Sequence, residues 1–210
     1  MRKVTILIII SMVFLWGCGG AGYGKFTRTD TPKAPEKMME KIQNAGDRRD
    51  YPNADIISIE DVDSTIYDAD GRMDAHSYSL FKILTIKEAK ELSEIPIGYD
   101  SQVMELQILF VRVIKEDGTV IRVSDSSIVD ETMPGYSEQD IFWSNLRQKT
   151  VTLPKLSMGD AIEFAIRYRG LQPYFEGIFD GSHSFSSGGP VISSRAVVIA
   201  PVEELNWMVY

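Results

Sequence analysis

Four kinds of side chain in this sequence could do chemistry, and each needs partners. Asp160 and Glu163 lie three residues apart in MGDAIEF. Two carboxylates about 5 to 9 Å apart can act as acid and base, or acid and nucleophile, in glycoside hydrolysis. The same residues also read as a tight turn, Met158-Gly159-Asp160, leading into a strand. Gly159 tolerates a positive φ there, and Asp160 can accept from nearby backbone N–H groups. Glu163 would then face the polar side of that strand, opposite Ile162 and Phe164. Nothing else here resembles a sugar-cleaving cleft, so a structural turn and a surface or cross-strand carboxylate are expected. His76 and His183 could bind a metal only with a carboxylate joining them in space. His76 falls in a strand pattern and His183 in a polar loop, so no metal site is expected. Ser182, Ser184, Ser186 and Ser187 lie near His183. A serine nucleophile needs an elbow or equivalent oxyanion geometry, and no Gly-x-Ser-x-Gly occurs. SSGGP at 186–190 lacks the lysine of a phosphate loop and reads as a turn. Tyr168, Tyr174, Phe175, Phe179 and Phe185 could stack on sugars or line a peptide groove, but packing in a core or between domains is expected. Cys18 is the only cysteine, which excludes an internal disulfide and a cysteine-built zinc site.

The surroundings of Cys18 give it a different task. Met1-Arg2-Lys3 is a short positive start, and Val4 to Leu15 is apolar apart from Thr5 and Ser11. That run is too short for a membrane-spanning helix, which takes about 20 residues, and has the length of a secretory core. Leu15-Trp16-Gly17-Cys18 resembles the lipobox of bacterial lipoproteins, with Trp16 bulkier than the residue usual at that place. The resemblance implies cleavage between Gly17 and Cys18. Cys18 then carries a diacylglyceryl thioether and an N-acyl chain such as palmitate. Each buried CH₂ adds about 0.8 kcal/mol of membrane affinity, so several chains hold a protein at a surface. Gly19 stands where inner-membrane lipoproteins of enteric bacteria carry Asp. The expected location is the cell envelope, at the outer membrane facing the periplasm if the host has one.

The elements beyond this anchor follow from composition and period. The 210 residues carry 22 Lys+Arg and 30 Asp+Glu, a net charge of −8. Without a basic stripe such a chain is not expected to bind nucleic acid. The expected divisions are a signal peptide over 1–17, a Gly/Thr/Pro-rich tether over 18–34, and a short helix with linker over 35–49. A β-sandwich domain covers 50–210, its pattern still running at Tyr210. Met38, Met39 and Ile42 give the helix its apolar side, with Pro35 in its first turn. Two β-rich hairpins turn at Asp70-Gly71 and Asp117-Gly118. IKEAKELSEI at 86–95 suits a second short helix, and residues 124–145 read as a long polar excursion. Eight or nine strands with one or two short helices imply an all-β fold, mainly an antiparallel sandwich.

Five stretches within this region resemble, in order, a family known as domain of unknown function 3857. They are YPNADIISIEDVDSTIYDADGR (51–72), HSYSLFKILT (76–85), IPIGYDS (95–101), VRVIKEDGTVIRV (111–123) and VTLPKLSMGDAIEFAIRYRG (151–170). The last is the most specific, with its Leu-Pro, Gly-Asp and Ile-Glu. The resemblance implies a β-rich module usually placed before a transglutaminase-like domain in exported bacterial proteins. Such enzymes use a Cys nucleophile with His and Asp. That set cannot be assembled here, since Cys18 precedes the domain. No enzyme activity, cofactor or metal is therefore expected of this chain. The expected role is binding or scaffolding at the membrane through the lipid anchor. The alternative is an N-terminal accessory part of a transglutaminase-like cysteine enzyme or peptidase whose catalytic domain is absent from this chain. The expected partners are the membrane, through the lipid anchor, and a transglutaminase-like domain or other envelope protein.

Overall fold

The computed structural model describes residues 32–134, 145–173, 183–185 and 189–201. Within them lie helices α1 (Glu36–Asn44) and α2 (Ile86–Glu91). The strands are β1 (Ile56–Tyr67), β2 (Met73–Ile83), β3 (Glu94–Asp100), β4 (Met104–Ile114), β5 (Val120–Arg122), β6 (Ile128–Thr132), β7 (Leu146–Thr152), β8 (Ala161–Gly170) and β9 (Ser194–Ile199). The expected all-β class holds, and β6 with a 3₁₀ turn at Asp125–Ser127 occupies part of the polar excursion. The signal peptide, the lipobox and most of the tether lie outside the described residues.

Both Asp-Gly hairpins form where the sequence places them. Gly71 and Gly118 take φ of 91° and 83°, a region that costs a glycine little. Asp68 accepts from the backbone N–H groups of Asp70 and Arg72, and Asp117 from that of Thr119. These short side chains satisfy turn donors that the ladder cannot reach.

Six strands form one sheet in the order β5-β4-β8-β2-β1-β9, and three form another in the order β3-β7-β6. All pairings are antiparallel except β1 with β9. The parallel pair requires the chain to cross over after β8 rather than turn back as a hairpin. Ile83, Leu106, Val111, Val113, Ile162 and Ile166 from the large-sheet side meet Ile97 and Val151 of the small sheet. Leu153 and Leu156, from the β7–β8 connection, close the same core.

The opposite face of the large sheet is also covered. Ile42 of α1, with Ala45 just after it, packs on Ile57, Ile59, Leu80, Ile114 and Ala161. Central strand β8 is consequently apolar on both faces near its start. Glu163 is the expected cross-strand carboxylate, opposite Arg112 on β4, but it departs from the expected polar face: its side of β8 is core, and the residue is 2% exposed.

Candidate functional site

The acid pair resolves into two separate structural anchors. Gly159, at φ 90°, turns the chain so that its N–H bonds Ile83 O, and Asp160 O accepts from Ile83 N–H. Asp160 Oδ2 accepts from Ser157 N–H at 2.7 Å and from Lys115 Nζ at 2.6 Å. Glu163 accepts from Arg112 Nε through one carboxylate oxygen and from Tyr78 Oη at 2.9 Å through the other. Burial and the neighbouring Glu163 charge push the Tyr78 phenol well above its ordinary range. The hydrogen bond that Arg112 donates to Glu163 holds the guanidinium more firmly protonated still. Both carboxylates are thus engaged by cations and donors of the fold itself.

A second cluster joins residues that the sequence keeps far apart. His183 Nδ1 lies 2.7 Å from Asp63 Oδ2, and its Nε2 lies 2.8 Å from Ser194 Oγ. Ser77, across the ladder from Asp63, donates to the other oxygen of that carboxylate. The tautomer with the proton on Nδ1 serves both contacts: it donates to Asp63 and accepts the Ser194 hydroxyl proton at Nε2. Its side chain is only 9% exposed, and the ring of Phe185 meets the imidazole edge-on at 4.5 Å. Burial, and then the Asp63 charge, raise the Tyr168 phenol above its usual value.

The two histidines are not brought together. His76 sits on β2 opposite Ser64, whereas His183 contacts Asp63, whose side chain points to the other face of β1. Among the described residues no three His, Cys, Asp or Glu converge as metal ligands. Cys18 with its Gly17 cleavage point lies outside the described residues, as do Tyr174, Phe175, Phe179, Ser182, Ser186 and Ser187. Asp63 and Ser194 went unnoticed in the sequence. The available signal was the stretch EDVDS in β1, which sets Asp61 and Asp63 opposite Ser79 and Ser77.

A cleft of about 340 Å³ opens beside β4, lined by Ile108, Leu109, Phe110, Arg112, Arg122 and Ile128 among others. At its edge the β4–β8 register shifts between Ile108 and Phe110. The bulge turns Leu109 and Phe110 outward, where they are 49% and 37% exposed. Arg112 and Arg122 face one another across the β4–β5 ladder. Arg112 is neutralised by Glu163 and stacks over the Phe110 ring at 5.2 Å.

Strands β2 to β9 and the buried Asp160 and Glu163 lie within the segment matched by a family model. That model is DUF3857, a domain of unknown function with solved structure, and it covers residues 69–210. The chain belongs to the DUF3857 family. A crystal structure from Parabacteroides distasonis, described as a "putative protease", is 18% identical with a TM-score of 0.52. It matches 58% of this chain but only 24% of its own, so the DUF3857 chain spans about a quarter of that protein. The carbohydrate-binding CBM3a-L domain from the Clostridium thermocellum cellulosome scaffoldin aligns at 9% identity and a TM-score of 0.34. That alignment covers 62% of this chain and 79% of the domain. The first likeness agrees with the fold; the second is too distant to add to it. No curated protein matches the chain.

Proposed function

We propose that this DUF3857 chain is a lipid-anchored, cell-envelope β-sandwich that works by binding. Cys18 fixes it to the membrane, and the cleft beside the β4 bulge receives the ligand. The observation that carries this reading is the make-up of that cleft: two outward apolar side chains, Leu109 and Phe110, beside the guanidinium of Arg122, with Asp125 also in the lining. A surface of that kind suits an extended partner segment with an apolar anchor and a carboxylate. The Asp160 and Glu163 carboxylates support the fold rather than a sugar-cleaving reaction.

Site-specific crosslinking tests this. A photo-reactive residue replacing Leu109 should give an adduct in intact host cells, and Arg122→Glu should abolish it. The same group at exposed Lys37 should give none. Equal adducts at both positions would sink the cleft assignment. For the anchor, Cys18→Ala should leave an unlipidated precursor that no longer fractionates with membranes. Normal processing and continued membrane attachment of that variant would disprove it.

A second reading makes the sandwich an accessory to a catalytic domain. It is favoured by the match to about a quarter of the larger Parabacteroides distasonis protein. Intact mass of the native protein from host membranes separates the two. A species tens of kilodaltons heavier than this chain plus its acyl groups would favour the accessory role.

A further inference from the structure

We propose that Ser194 is an acyl-accepting nucleophile, with His183 as its general base and Asp63 as the residue that orients the base. The order of contacts carries the inference. A hydroxyl lies on Nε2 at 2.8 Å and a carboxylate on Nδ1 at 2.7 Å, both within proton-transfer reach. Ser77 holds the far oxygen of Asp63, which fixes the carboxylate that fixes the ring. The three residues come from β1, β9 and the segment before β9, so the arrangement exists only in the folded sandwich.

Two further features suit acyl transfer. Asp61 N–H bonds Ser193 O, and parallel ladders bond alternate residues. The N–H of Ser194 itself therefore points to the outer side of β9. Among the described residues no strand lies there. A nucleophile's own N–H is a ready donor to a developing oxyanion. Phe185, 59% exposed and packed against the imidazole, offers an apolar platform beside the hydroxyl. The substrate class is accordingly a carboxylic ester with an apolar acyl group.

The step balances without any added reagent. Ser194 Oγ forms a bond to the acyl carbon while its proton moves to His183 Nε2. The ester C–O bond breaks, and the alcohol leaves with that proton. Water, deprotonated by the same nitrogen, then releases the carboxylic acid and restores Ser194.

An alkyl fluorophosphonate tests the nucleophile on the full-length chain in detergent. The Ser194 Oγ–P bond forms, the P–F bond breaks, and fluoride departs. Peptide mapping should place the label on Ser194, and Ser194→Ala should remove it. His183→Gln should slow labelling by about 100-fold or more. Asp63→Asn should slow it at least about tenfold with the melting temperature preserved, and Asp63→Glu should restore part of the rate. A wild-type chain that is folded by circular dichroism yet unlabelled at Ser194 overturns the proposal. So does a label that survives Ser194→Ala. Either result makes Asp63, His183 and Ser194 a clasp between the sheet and the segment before β9 and nothing more.

Discussion

Glu163 and Arg112 meet on the α1 side of β8, the acid at 2% exposure and the guanidinium reaching partly to solvent. Removing one member of a buried pair strands the other charge, a loss of roughly 3–5 kcal/mol when both are fully enclosed. Because Arg112 keeps some contact with water, Glu163→Ala should cost about 2–3 kcal/mol, just below that scale. Replacing both, as Arg112→Met with Glu163→Leu, should fall within about 1 kcal/mol of wild type, since no charge is then left unpaired. Urea denaturation of the two variants makes the comparison; equal losses would show that the stranded Arg112 charge carries no cost. Tyr78 reports on the same site through pH. Its folded pKa is raised above the unfolded value of about 10, so the phenol favours folding fully below that pH. That contribution fades as pH climbs past 10 toward the folded value, because the unfolded chain ionises first. Tyr78→Phe should flatten the alkaline limb of a stability-versus-pH curve. An unchanged limb would assign the alkaline loss to other groups.

Among the elements, the β4–β5 hairpin and α2 show how short signals specify local structure. Hydrogen bonds from the Thr119 backbone, the Thr119 hydroxyl and Lys33 hold Asp117 down at about 2. Its contribution is therefore present above the unfolded value near 4 and is lost as pH falls toward 2. Asp117→Asn should make the acid limb shallower, measured by thermal melts between those pH values. Thr85 caps α2: its Oγ1 accepts from Glu88 N–H at 3.1 Å and donates to Asp55 at 2.9 Å. Thr85→Ala should cost about 1–2 kcal/mol, and a loss below a few tenths would deny the cap any role. The hairpins and helices were legible because turn chemistry and helical period are local: Asp-Gly at each turn, IKEAKE for α2, an apolar stripe on α1; the Thr85 cap comes from the structure alone. The pairings were not. Nothing in the period of SRAVVI tells that it lies parallel to β1, since strand direction follows from the crossover rather than from alternation. Glu163 was misplaced for a related reason. Alternation assigns the two faces of a strand but not what covers each one, and here α1 turns the second face into core. The Asp63–His183–Ser194 cluster was hidden by sequence separations of 120 and 11 residues.

At the scale of the whole molecule, the large sheet is a shared wall between two cores, and the fold's polar machinery depends on which core it borders. The inter-sheet core draws on both sheets, whereas the α1 core is closed on its outer side by one nine-residue helix. A helix that short is not stable alone in water, so α1 persists through its docked face. Ile42, at 4% exposure, is the centre of that face. Ile42→Asp would bury an unpaired carboxylate, and undocking α1 is the cheaper response. The expected cost is about 2–4 kcal/mol, the apolar burial of Ile42 plus part of the surrounding contacts. Hydrogen exchange should show α1 amides losing protection while Val151 and Ile162, in the inter-sheet core, keep theirs. Undocking would also let water reach Tyr78, which packs against the α1 core beside Glu163. The burial that raises its phenol would weaken, and the alkaline limb of the variant should move toward that of Tyr78→Phe. If Ile42→Asp instead unfolds both cores together, the sheet is not an independent wall and α1 belongs to one cooperative unit with the sandwich. If it changes neither stability nor exchange, α1 contributes nothing to the second core.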